Sequence, residues 1–290
     1  MENLFEKGCL VQLSTSVWGA TRKIKTSHLS RLFTSHEWLS ANKKLVNPDA
    51  LRPIKKVVSK ARTYLAGVSL PFPLTGMVFM PKEMISKVDQ KLTSFKSEFN
   101  GSVEEFMGNY DRLRETAMVC LGDLFNEMDY PVSVLSKFSF VWRFVILDVP
   151  NGNTAILAPE VYEREKEKFV QTMEQAREMA VESLREEFAG LVERITERFT
   201  DGPDGKPKVF KNSTVTNFYE YFETFKERNI FKDEQLAELV SRAQALLGSH
   251  SAAEIRSNDG LKDRIRSDME AVETAMAEIL ARPRRKIILN

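Results

Sequence analysis

PEVYEREKEKFVQTMEQAREMAVESLREEFAGLVERITERF, residues 159–199, decides how this chain folds. Phe169, Met173, Ala176, Ala180, Leu184, Phe188, Leu191 or Val192, Ile195 and Phe199 recur in it at steps of three or four, the spacing that lines one face of a helix. Glu and Arg fill most of the gaps. At a rise of about 1.5 Å per residue, such a helix is about 60 Å long, more than one compact core can wrap. It needs a partner of similar length. Residues 81–128 offer one, with Ile85, Val88, Leu92, Phe95, Phe99, Val103, Phe106, Tyr110, Leu113, Ala117, Leu121 and Leu124 at helical spacing. The expected fold is mainly α: an elongated antiparallel long-helix hairpin, coiled-coil-like, with a small β-sheet at one end and a C-terminal helical subdomain.

The flanking sequence supplies the smaller parts. Val, Leu, Ser and Thr dominate Cys9 to Trp18, which predicts a strand before the turn at Gly19. A short helix is expected over Ser27 to Leu39. Asn47-Pro48 has the grammar of an N-cap followed by a first helical residue, and Gly67 that of a stop. Two prolines make Ser69 to Thr75 an extended linker. Short strands are expected at Met77 to Met80 and Phe138 to Val149, the latter pairing with Cys9 to Trp18 or with Met77 to Met80. Gly101 and Gly108 weaken the first long helix by up to about 1 kcal/mol each, which allows a break near Gly101, and Asp129-Tyr130-Pro131 ends it. The turn-rich residues 201–207 mark a boundary, after which helices are expected at Thr214 to Arg228, Asp233 to Leu247 and Asp259 to Ala281. This gives three domains: a basic head at 1–80, the hairpin at 81–200 and a helical subdomain with its tail at 201–290.

The 42 Lys and Arg nearly cancel the 41 Asp and Glu, so net charge points to no partner. Distribution is more informative. Residues 1–70 hold about 12 basic side chains against about 4 acidic, whereas residues 159–200 hold about 11 acidic against about 7 basic. With only Cys9 and Cys120, a disulfide framework is not expected, and both thiols read as inert core groups. The N-terminus lacks a basic segment followed by a sustained apolar one, and the longest apolar run is too short for a bilayer. The expectation is a cytoplasmic protein with no membrane association.

Motifs for catalysis are missing: no phosphate-binding loop, dinucleotide fingerprint or paired-His metal motif is present. His28 and His36 sit eight residues apart without suitable co-ligands, and Glu178, Glu182, Glu186 and Glu193 alternate with Arg177, Arg185 and Arg194 as on a solvated helix face. The chain is therefore read as no enzyme, with no catalytic residue, cofactor or metal. Its best candidate contact surface is basic. Arg52, Lys56 and Lys60 repeat every fourth residue, flanked by Lys55 and Arg62, with Arg22, Lys23 and Lys25 nearby in sequence. They suit phosphates or an acidic partner, or form an ordinary exposed face. Trp18, Trp38 and Trp142 read as core anchors. A second candidate is the tail, where Pro283 stops the last helix and Arg284, Arg285, Lys286, Ile287, Ile288 and Leu289 follow as a basic then apolar segment suited to docking.

Several short stretches carry a resemblance: Ser16 to Lys23, Ala61 to Leu65, Ser69 to Phe72, Val78 to Pro81, the Phe99, Phe106, Tyr110 series, Asp129 to Pro131 and Phe138 to Phe140. Over roughly residues 9 to 200 the chain resembles a domain-of-unknown-function family of helical bacterial and phage proteins, often encoded beside a MoxR-type AAA+ ATPase and a von Willebrand A-domain protein. The resemblance brings no catalytic residues. It implies an accessory or adaptor role near an ATPase-driven remodelling system, through self-association or through binding an AAA+ or von Willebrand A-type partner. The other reading from sequence is a nucleic-acid-binding protein that uses the basic head.

Overall fold

The computed structural model describes residues 4–24, 40–147, 158–199, 212–248 and 250–281. The strands are β1 (Gly8–Ser16), β2 (Thr21–Lys23), β3 (Asn42–Lys44), β4 (Leu70–Pro71), β5 (Val78–Pro81) and β6 (Ser139–Val145). The helices are α1 (Arg52–Val68), α2 (Ile85–Gly108), α3 (Tyr110–Leu121), α4 (Pro159–Phe199), α5 (Asn212–Arg228), α6 (Glu234–Leu247), α7 (Ala252–Ser257) and α8 (Asp259–Ala281). The fold is mainly α with a small antiparallel element. The expected helix at Ser27 to Leu39, the last residues of the strand expected to reach Val149, the turn at 201–207 and the tail after Pro283 lie outside the described residues. No helix among those described is long and apolar enough to cross a membrane.

Two compact units divide the chain, each assembled from separated stretches. One draws on residues 1–10, 67–84 and 146–290, the other on residues 11–66 and 85–145.

In the first unit α4 buries Ala176, Ala180, Leu184, Phe188, Leu191, Val192, Ile195 and Phe199, the predicted stripe from its middle onward. Before Ala176 none of its residues is fully buried. The stripe is covered by α8, α5 and β4 of the same unit, whereas most of the 81–128 stretch to which the sequence assigned it belongs to the other unit. Met269, Val272 and Met276 of α8 and Val215, Phe218, Tyr221 and Phe225 of α5 are buried there. The Phe188 ring stacks on Tyr221 at 5.6 Å and meets Phe218 edge-on at 6.3 Å. Burying each large side chain of the stripe contributes about 2 kcal/mol. In the same unit β5 lies between β4 and the start of β1, residues 8–10. Gly8 is required there, because a Cβ would stand 2.1 Å from the Met80 carbonyl oxygen.

The C-terminal helices follow the sequence grammar closely. Asp233 caps α6 by accepting from the Leu236 N–H at 3.2 Å. The sequence reading missed α7, which sits in what looked like a linker. Its signal is the reciprocal capping box of Ser251 and Glu254. Those hydrogen bonds hold the Glu254 carboxyl below the usual range.

In the second unit, Asn47 accepts from the Asp49 N–H at 3.0 Å and Pro48 opens a short 3₁₀ turn that runs into α1. Leu51, Ile54, Val58, Ala61 and Leu65 are buried as predicted. The first long stretch is not one helix. The Asn109 side chain donates to the Glu105 carbonyl at 2.9 Å, and its own backbone N–H turns to Phe106 at 3.1 Å, which breaks the helix between α2 and α3. Gly101, in contrast, stays inside α2 with nothing close to it. At the far end Gly122 takes φ 50° and stops α3 before the predicted Asp129-Tyr130-Pro131. Trp18 packs edge-on against Phe106 and Tyr110 at 6.3 and 6.1 Å, and the Trp142 indole donates to Asp89 Oδ1 at 2.8 Å. Trp18 therefore serves the core as expected, Trp142 is only partly buried, and Trp38 lies outside the described residues.

The first unit also buries a charge. Arg228 is 2% exposed, donates to Glu187 Oε2 at 2.6 Å and faces the Tyr221 ring at 6.0 Å. The Tyr221 hydroxyl donates to the Leu184 carbonyl at 3.0 Å, and burial pushes its ionisation well above the ordinary tyrosine range. Removing the carboxylate strands a buried cation, so Glu187→Gln is expected to cost about 3 kcal/mol, against a smaller loss for the apolar replacement Arg228→Met. Urea melts check the order. The raised phenol pKa adds a pH signature: this part of the stability is complete below about pH 10 and is lost above it, because tyrosine in the unfolded chain ionises first.

Candidate interaction surface

The most unusual surface of the second unit is built by α3 and the 15 or so residues after it. Tyr110, Arg114 and Met118 lie four apart and share one face of α3. The following segment carries Met128, Val132 and Leu135. Met128 is 86% exposed, Val132 is fully exposed, and Leu135 and Met118 are more than half exposed. Val119, next on α3, is 79% exposed. Between helix and segment lies a groove of about 600 Å³ walled by Tyr110, Arg114, Met128, Tyr130, Val132 and Leu135. Arg114 pairs with Glu127 and lies over the Tyr130 ring at 5.5 Å, so the groove's charged groups largely satisfy one another. The Tyr110 hydroxyl is buried with no hydrogen-bond partner among the described residues, and burial raises its pKa.

Isolated apolar residues on a surface are ordinary, but five of them gathered on one helix and one short segment are not. The segment that carries Met128, Val132 and Leu135 is anchored from beneath by a clamp at residues 124, 129 and 130. Lys43 of β3 pairs with Asp129 at 2.5 Å and donates to the Leu124 carbonyl at 2.5 Å. Arg22 of β2 donates to the Asp129 carbonyl at 3.4 Å, and the Tyr130 hydroxyl donates to Leu45 at 2.8 Å. Arg22 and Lys43 are register partners in the antiparallel β2–β3 ribbon, which sets both on the same segment. Only Val134 of the 131–137 stretch turns inward and is buried.

The basic residues singled out from sequence fall in two places. Arg22 belongs to the clamp and Lys23 is exposed on β2; Lys25 lies outside the described residues. On α1, Arg52 pairs with Asp49 at 2.5 Å, Lys60 pairs with Glu98 at 2.8 Å and Arg62 donates to Thr15 Oγ1 at 2.8 Å. Lys55 and Lys56 are exposed and have no such partner among the described residues. The row is thus a helix face that is partly neutralised from within. Arg284, Arg285, Lys286, Ile287, Ile288 and Leu289 lie outside the described residues. The ribbon itself, with Lys43 and Lys44, was invisible to pattern reading: three-residue polar strands have no apolar alternation. Among the described residues no three His, Cys, Asp or Glu side chains are placed to hold a metal ion.

The family model for Protein of unknown function (DUF3150) matches residues 5–200. The chain belongs to that family. No curated protein and no solved structure matches it. The DUF3150 match takes in the clamp, the groove and α4, and ends before α5 to α8.

The two thiols report on this geometry. Cys120, expected to be a core thiol, is instead exposed on α3 beside Val119, whereas Cys9 is buried in β1 as expected and desolvation raises its pKa. Titration with a thiol-specific reagent at about pH 8 should modify Cys120 at once and Cys9 only on unfolding. Equal rates for both would contradict the described packing.

Proposed function

We propose that this protein is a non-enzymatic interaction or adaptor protein that binds a protein partner through the apolar surface on α3 and residues 124–135. One observation supports the reading above all: Met128, Val132 and Leu135 are exposed on a segment that an ion-pair clamp holds in place, and Met118 and Val119 are exposed on the helix that precedes it. Surfaces of this kind mark sites that another chain covers. The half-exposed Phe169, Val170 and Met173, on the part of α4 that precedes its buried stripe, fit the same role. The partner class we favour is a MoxR-type AAA+ ATPase or a von Willebrand A-domain protein, in a remodelling system of bacterial or phage origin, with self-association as the simpler form of the same activity. A cytoplasmic setting is part of this proposal.

The nucleic-acid reading has less behind it, since three of the five basic side chains on α1 are engaged within the chain. Gel shifts with single- and double-stranded DNA and RNA at about 50 mM salt are expected to give no retardation. Retardation abolished by Lys55→Glu with Lys56→Glu would move the assignment to nucleic acid.

The direct experiment combines light scattering and pull-down for the native chain and for the triple variant Val119→Asp, Met128→Asp, Val132→Asp. All three positions are exposed, so the melting temperature should change by no more than about 2 °C. Binding to the ATPase partner, or to a second copy, is expected to weaken at least tenfold, and alkylation of Cys120 should slow when the partner is present. A native chain that stays monomeric and captures neither partner class would contradict the proposal.

A further inference from the structure

The first unit carries a groove of about 240 Å³ between α4 and the last turn of α8. Val181, Ile279 and Leu280 give it an apolar floor, and Glu174, Glu178 and Glu182 line it at successive four-residue steps of α4. Its two arginines are already engaged. Arg185 donates to Asp233 Oδ2 at 2.6 Å, and Arg177 lies over the Phe231 ring at 5.7 Å. Glu174 and Glu178 are exposed and form no ion pair among the described residues, and Leu280 is 43% exposed. The groove therefore has an acidic rim and an uncovered apolar floor.

We propose that residues 282–290 of this same chain dock in that groove, their basic side chains along the glutamate row and their aliphatic side chains on the Val181 and Leu280 floor. Three features of the chain point to this occupant. The segment begins one residue past α8, whose last turn forms a wall of the groove, so the docking is nearly intramolecular in its entropy. Pro283 has no N–H with which to continue the helical hydrogen-bond ladder, so the sequence favours a change of direction after α8. Beyond it, Arg284, Arg285 and Lys286 precede Ile287, Ile288 and Leu289, which matches an acidic row beside an apolar floor. Reach is sufficient. Nine extended residues span about 30 Å, whereas Glu174 to Arg185 occupies about 16 Å of α4.

The test uses the full chain with the photo-cross-linking residue p-benzoylphenylalanine in place of Ile288, irradiated at low micromolar concentration and mapped by peptide mass spectrometry. The expected products are intramolecular cross-links to residues 174–185, with a yield that does not depend on protein concentration. Glu178→Arg should lower that yield at least fivefold, and adding Arg285→Glu should restore it. Raising salt from about 50 to 500 mM should also lower it, because the rim charges are exposed. Circular dichroism and melting of each variant separate loss of docking from loss of fold, and Glu178→Gln supplies a milder version with a smaller drop in yield. Cross-links found only between copies, a yield indifferent to Glu178→Arg in a folded protein, or products scattered over the surface would each overturn the proposal.

Discussion

A helix of 41 residues with one apolar stripe cannot stand alone in water, and the architecture of the first unit follows from covering that stripe. The cover is composite. α8 lies along it, α5 brings Phe218 and Tyr221 to Phe188, and β4 meets it from a stretch nearly a hundred residues earlier in the chain. The unit is therefore discontinuous in sequence, since Leu70 and Pro71 have to return to α4. Even the buried charge belongs to this arrangement, for Arg228 reaches Glu187 from the end of α5 and is packed beneath Tyr221.

The second unit answers a different constraint. Its core is aromatic, running from Trp18 through Phe106 and Tyr110 to Phe138, Phe140 and Phe99. That core is closed without help from Met118, Val119, Met128, Val132 or Leu135. A short segment rich in apolar residues would ordinarily gain by collapsing inward, since each such burial is worth about 1.5 to 3 kcal/mol. The partly buried Lys43–Asp129 pair and the Tyr130 hydrogen bond fix the segment's backbone so that only Val134 makes that turn. These polar attachments determine which face the segment shows to solvent, and this link from packing to surface is what the functional proposal builds on. The family match extends over the whole of it.

How much of this could be read from the sequence depends on the range of the interaction concerned. The α4 stripe, the apolar face of α1, the Asn47-Pro48 start and the Asp233 and Ala281 limits of the late helices were legible because periodicity and capping are local. The cover of α4 was not. An apolar stripe specifies that it must be buried and leaves the choice among amphipathic helices to tertiary packing, so α8 was overlooked in favour of residues 81–128. That stretch reads as one helix by period, yet Asn109 and Gly122 end its pieces through a side-chain hydrogen bond and a positive φ, neither of which alters the apolar pattern. The candidate surface was missed for a related reason. Met118 and Val132 are apolar letters, and only their surroundings reveal that they are left outside.

From Ala176 onward α4 is covered by α8 and α5, and before Ala176 it buries no residue fully. Native-state hydrogen exchange followed by mass spectrometry measures this residue range by residue range. Amides of 176–199 are expected to exchange slowly and in step with those of α8, at a rate at least about tenfold below that of 159–175. Uniform protection along the whole of α4, rising and falling with α2 and not with α8, would contradict it.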